Sequence, residues 1–117
     1  MIILKSLKQN GMNTSTNNYD AIEQLIYSEG LSIQAVDFHK ELDLMLVVLN
    51  TKAILQQKIS SYPSMANATM EQLLQYELIG NGTGIHWPAI DEDLSLKGFL
   101  KDELKQVVNN KKNNIAA

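Results

Sequence analysis

Residues 31–59 read L-S-I-Q-A-V-D-F-H-K-E-L-D-L-M-L-V-V-L-N-T-K-A-I-L-Q-Q-K-I. At the centre, Leu44 to Leu49 form an almost unbroken apolar run. A run that short, rich in branched side chains, reads as a central strand covered on both faces. A helix over the same residues is the rival, because periodicity alone does not separate the two. Before the run, residues 32–38 alternate imperfectly and place Val36 and Phe38 on one face, as a strand would. His39, Lys40 and Glu41 supply a polar turn. Asn50, Thr51 and Lys52 supply another. Residues 53–59 give a third strand, with Gln56, Gln57 and Lys58 marking its more exposed part. The whole predicts an antiparallel three-stranded meander.

Outward toward the N-terminus, Ala21, Ile22, Leu25 and Ile26 keep helical spacing, and Gly30 suits the residue just past a helix end. The spacing predicts a helix over 19–29 capped by Asn17 or Asn18. Such a helix is marginal alone and needs a surface to pack on. Residues 1–18 read as a flexible leader poor in groups that could order it. The leader contains a second methionine, Met12, so residues 1–11 need not belong to the native chain.

Toward the C-terminus, Pro63 fits the first turn of a short helix. Thr69 with Gln72 three residues on is a capping box. The helix it opens spans 70–76 and buries Met70, Leu73 and Leu74. Gly80-Asn81-Gly82-Thr83-Gly84 holds an Asn-Gly pair, the two-residue hairpin signal, since both tolerate positive φ. Leu78 and Ile79 would then pair with Ile85, His86 and Trp87, and Pro88 would end the returning strand. The alternative is a helix running to Ile79 and stopped by Gly80. Asp91, Glu92, Asp93 and Ser95 read as the acidic entry to a last helix, where carboxylates favour the positive end of the helix dipole. Leu96, Phe99, Leu100, Leu104, Val107 and Val108 keep its spacing, although Gly98 costs about 1 kcal/mol relative to Ala there. Residues 109–117 read as a disordered Asn- and Lys-rich tail. The expected fold is α+β: a small antiparallel sheet, made of a three-stranded meander plus a short hairpin, packed with short helices and with additional N-terminal and C-terminal helices. Residues 19–108 form its single domain.

Composition narrows the function classes. The 117 residues are 44% hydrophobic and 20% charged, as in an ordinary globular domain. There is no cysteine, which removes disulfides, thiolate catalysis and cysteine-bound metal. Net charge is −3, and every basic side chain is lysine. Without arginine the usual bidentate reader of guanine and phosphate is missing, so direct nucleic-acid contact is disfavoured. The apolar start is too short for a membrane span or signal core, and the expectation is a cytoplasmic protein with no membrane contact.

The glycine cluster lacks the lysine and hydroxyl residue of a phosphate loop and is not followed by a helix pattern. Asp91, Asp93, Ser95 and Asp102 echo the spacing of a calcium loop, but Leu96 stands where glycine must turn and Asp102 where a bidentate glutamate belongs. No metal or cofactor is therefore implied. His86 beside Asp91 and Asp93 has the composition of a general base with carboxylate neighbours. The plainer account is that Trp87 fills the core and His86 bonds locally on the opposite face. No spacing supports a catalytic triad, and enzymatic activity is unmotivated.

The stretch S-S-Y-P-S-M-A-N-A-T from Ser60, followed by E-L-I-G-N-G-T-G-I-H-W-P-A-I-D-E-D-L-S-L-K-G-F-L from Glu77, resembles the bacterial domain-of-unknown-function family 2442. The resemblance covers residues 31–100 and is closest over 60–100. It implies a small α+β domain without an inherited catalytic role. It also implies kinship with proteins that look like partners in toxin–antitoxin-type gene pairs. The signature positions His86, Trp87, Asp91, Glu92 and Asp93 are the candidate functional surface, with no catalytic residue assigned. The expectation is a non-catalytic protein-partner-binding module, possible in antitoxin-like form, whose acidic balance suits a basic partner. A homodimer is open. One alternative is a ligand or enzyme pocket around His86, Trp87 and the acids Asp91 to Asp93. A weaker one is a nucleic-acid regulator using Lys97, Lys101, Lys105, Lys111 and Lys112.

Overall fold

The computed structural model describes residues 20–116, so the leader 1–18 lies outside the described residues. The meander forms as its apolar periodicity dictates. Strands β1 (Ile33–His39), β2 (Leu44–Leu49) and β3 (Ile54–Gln57) make an antiparallel sheet in the order β1-β2-β3. In β2, Met45, Val47 and Leu49 are buried, while Leu44, Leu46 and Val48 are half-buried. The run is central in its sheet as expected, but only one face is fully covered. The imperfect alternation in β1 has a physical source: the register shifts between Ile33 and Ala35. That irregularity lets Ile33 reach the same buried side as Val36 and Phe38. Strand β3 is shorter than expected, and Gln57 corrects the expectation of an exposed end. It is 5% exposed and accepts a 2.6 Å hydrogen bond from the Tyr62 hydroxyl.

Helix α1 (Ala21–Glu29) is capped by Asp20, whose carboxylate accepts from the Glu23 amide at 2.9 Å, and not by Asn17 or Asn18. It ends as predicted at Gly30, which has φ 63°. Helix α2 (Pro63–Ala66) starts on its proline. Helix α3 (Met70–Leu74) opens with the reciprocal Thr69–Gln72 capping box. It buries Leu73 but leaves Met70 and Leu74 exposed, so one turn carries only one inward side chain.

The largest departure is a second sheet. The expected hairpin is present, as β4 (Glu77–Ile79) and β5 (Gly84–Trp87), although the Gly80–Gly82 turn is longer than a two-residue loop. A third strand, β6 (Glu92–Ser95), follows where the acids were read as a helix entry. Asp91 makes the reversal possible at φ 52°. After it, Glu92 and Leu94 lie half-buried while Asp93 and Ser95 are exposed, the period of a strand. Helix α4 (Leu96–Ala116) then starts directly, with Ser95 Oγ accepting from the Gly98 amide at 3.0 Å. Gly98 does not interrupt it, and the helix runs through the stretch from Asn109 that was expected as a tail.

One core joins the layers. Met45, Val47, Met65, Leu73, Ile85, Trp87, Leu96 and Phe99 are its most deeply buried large side chains. Gly82 presses the second sheet's turn against the entry to β1. A Cβ there would lie 2.8 Å from Ser32 Cβ, and its φ is 85°.

Candidate functional site

Strand β5 has two chemically different faces. Ile85 and Trp87 point into the core, and both are fully buried. The Trp87 indole donates to the Leu73 carbonyl at 3.0 Å and meets Phe38 edge-on at a centroid distance of 6.4 Å. Tyr76 tilts against it at 6.3 Å. The opposite face begins with His86, whose Nδ1 lies 2.5 Å from Asp93 Oδ1 across the β5–β6 ladder. Their side chains are 32% and 67% exposed. On the other flank of β5, Glu77 is the register partner of His86. Glu77, His86 and Asp93 therefore form one cross-strand row, acid–imidazole–acid. Beside it, β4 is an edge strand whose three residues are all exposed, including Leu78 and Ile79. Met70 and Leu74 on α3 are also exposed.

Of the five signature residues, His86 and Asp93 meet on the outer face, while Trp87 and Glu92 are register partners on the other. Trp87 is a core anchor. Glu92 turns toward α2 and accepts a hydrogen bond from the Ser64 hydroxyl. Asp91 sits exposed in the turn. The sequence reading missed Glu77, which gains its place only from the β4–β5 register. Counting outward from the glycine turn would have placed it opposite His86.

Other chemistry lies elsewhere. Among the described residues, no three His, Asp or Glu side chains are grouped to hold a metal ion, and no helix is long and apolar enough to cross a membrane. A cleft of about 870 Å³ runs between the β2–β3 end and α4, lined in part by Gln57, Ser61, Asp102 and Lys105. It does not include His86 or Trp87. Burial pushes the Tyr62 phenol up to about 12, with Asp102 and Glu92 adding to the shift.

Two members of the expected lysine face are already committed. Lys97 Nζ pairs with Glu23 at 2.7 Å and Asp20 at 3.1 Å, and Lys101 approaches Asp20 at 3.6 Å. The Glu23 and Asp20 contacts raise the Lys97 pKa. Asp20 is held low, first by the Glu23 amide and then by Lys97. These pairs join α1 to α4 and are surface contacts of modest energy.

A family model described as a protein of unknown function, DUF2442, matches residues 33–104. The chain belongs to that family. A solved structure of an uncharacterised protein from Chromobacterium violaceum is similar at a TM-score of 0.57 and 26% identity, covering 77% of this chain and 85% of that one. A protein of unknown function from Rhodospirillum rubrum is similar in fold at a TM-score of 0.54 and 24% identity, covering 62% and 87%. No curated protein matches the chain.

Proposed function

We propose that this DUF2442 protein is a non-catalytic protein-partner-binding module whose docking face is the outer side of the second sheet. The observation carrying this reading is the row Glu77, His86 and Asp93 set beside an exposed apolar edge strand. An exposed edge offers unpaired backbone groups to another chain. Exposed Ile79, on the same face of β4 as Glu77, adds apolar area, and the two carboxylates favour a basic partner by steering and orienting it. In its antitoxin-like form the partner is a cognate protein held inactive in the cytoplasm of a bacterial cell. Burial of Trp87 deprives the ligand-pocket alternative of its indole, and the Lys97 and Lys101 pairs weaken the nucleic-acid one.

The test is affinity capture from the source cell at native salt, with the wild-type chain and Glu77→Lys and Ile79→Asp variants as bait. Mass spectrometry would identify retained proteins, and light scattering would give their stoichiometry. One basic protein held stoichiometrically by the wild type and lost by both variants is expected. Retention of nothing, or retention indifferent to both substitutions, overturns the reading.

A further inference from the structure

The cleft of about 870 Å³ between the first sheet and α4 divides its lining by chemistry. Helix α4 turns one polar side to it. Asp102, Lys105, Gln106 and Asn109 stand at i, i+3, i+4 and i+7, the spacing of one helix face. The facing wall comes from the end of β3 and the turn before β2. It supplies Gln57 and Lys58, with apolar area from Leu42 and Leu44. Leu42 is 66% exposed there, an apolar side chain that the fold itself does not bury. Three polar groups of this lining have unused capacity. Gln57 gives its carbonyl oxygen to the Tyr62 hydroxyl, and its amide nitrogen is buried without a hydrogen-bond partner. A buried donor left unmet is costly, so an acceptor brought to it is favoured. Asp102 and Lys105, one helical turn apart, enter no ion pair among the described residues. The other two charges of the lining are already engaged. Both oxygens of Asp43 accept from Ser60, and the Lys58 charge acts on that carboxylate.

We propose that this cleft binds a small zwitterion, an α-amino acid or short peptide, with its carboxylate between Gln57 Nε2 and Lys105 and its ammonium on Asp102. Small-molecule sites commonly measure about 300–1,000 Å³, so the size is suitable. A carboxylate accepts from an amide and an ammonium together, and hydrogen bonds with a charged partner are the stronger kind. A ligand ammonium needs an acceptor, and Asp102 is the lining carboxylate outside any ion pair. An anion alone would face Asp102 as a like charge. A cation alone would leave Lys105 and Gln57 unmet. Leu42 and Leu44 offer contact to an apolar side chain of the ligand. Gln57 is 5% exposed and meets the carboxylate by turning about its side-chain torsions, the last of which is broad. The cleft does not include Glu77, His86 or Asp93, so this site stands or falls independently of partner docking.

Titration of the isotope-labelled full chain with free leucine and with the dipeptide glycyl-leucine tests this, read by NMR at the Gln57 side-chain amide. N-acetyl-leucine, which lacks the ammonium, and leucinamide, which lacks the carboxylate, are the controls. At least one zwitterion is expected to shift the Gln57 amide saturably at millimolar concentration or below, and either control to bind about tenfold more weakly. Lys105→Ala, at an exposed position, should weaken the zwitterion about tenfold. Asp102→Asn should weaken the zwitterion to a similar degree without weakening N-acetyl-leucine. Glu77→Lys, on the docking face, should leave the titration unchanged. No saturable shift with either zwitterion up to about 20 mM overturns the proposal. So do controls that bind as tightly as the zwitterions, shifts that spare Gln57, or binding indifferent to both Lys105→Ala and Asp102→Asn.

Discussion

The two sheets are built from similar numbers of strands but hold together differently. The first has strands of seven, six and four residues, and β2 alone buries Met45, Val47 and Leu49. The second has strands of three, four and four residues, and its edge strand β4 is exposed throughout. Only β5 drives large side chains into the core, through Ile85 and Trp87. The first sheet is thus fixed by a distributed apolar pattern. The second is hung from one strand, and its outer face is the one proposed above for partner docking. Elements used for binding are commonly drawn from the less protected parts of a fold, and the contrast follows that logic.

The sharpest way to break the comparison is to remove the anchor. Trp87→Ala deletes a fully buried ring and leaves the Leu73 carbonyl without its donor. The expected loss is about 3–5 kcal/mol in urea unfolding, at the upper end for core truncations. Met45→Ala removes a smaller, equally buried side chain in β2, with an expected loss of about 2–4 kcal/mol. If Met45→Ala proves the more damaging, the second sheet does not hang on β5. Hydrogen exchange sharpens the same point. Amides of β4 should exchange through local opening, while those of β2 should wait for global unfolding.

The contrast also governs what could be read from residues alone. The meander was plain because burial in β2 leaves a run that few other structures accommodate. The capping box and Gly30 were plain because each is a local contact, closed within three or four residues. Strand β6 was missed because Asp91, Glu92 and Asp93 carry the signature of a helix entry, and the pairing that overrides it comes from β5. Gln57 was misplaced because its polarity suggested solvent, whereas a hydroxyl from Tyr62 satisfies its carbonyl inside. The row Glu77–His86–Asp93 joins residues from three strands. Only the register of both ladders assembles it, and half of it was found as the His86–Asp93 neighbourhood.

A middle-sized effect probes the joint between the sheets. Gly82 has φ 85° in the turn before β5, and an added Cβ would strike Ser32 Cβ at 2.8 Å and crowd the Ile33 backbone. Gly82→Ala should therefore cost about 1–3 kcal/mol, from strain and from parting the turn from β1. Gly30 offers the control. Its φ is 63°, but a Cβ there meets nothing within 4 Å, so Gly30→Ala should cost less, about 1 kcal/mol of conformational strain alone. Equal losses at the two sites would show that contact with β1 does not matter.

The smallest effect lies where α4 passes the first sheet. Tyr62 is raised to about 12 from an ordinary 10.0, chiefly by burial and then by Asp102 and Glu92. A raised folded-state value means the unfolded chain loses the phenolic proton first. The stabilisation is complete below pH 10 and fades as pH climbs through 12. Its size is about 1 kcal/mol, because the phenol is only half-buried and solvent screens the neighbouring carboxylates. Lysines titrate in the same range, so the difference between wild type and Tyr62→Phe isolates the effect. Unfolding followed between pH 9 and pH 12 should show the wild type losing stability more steeply than Tyr62→Phe. The variant starts lower, since removing the hydroxyl leaves the buried Gln57 carbonyl without its donor. The two curves should then draw together as pH rises. Parallel curves would mean that the phenol titrates alike in folded and unfolded chains. The Tyr62–Gln57 bond would then contribute nothing that depends on its proton.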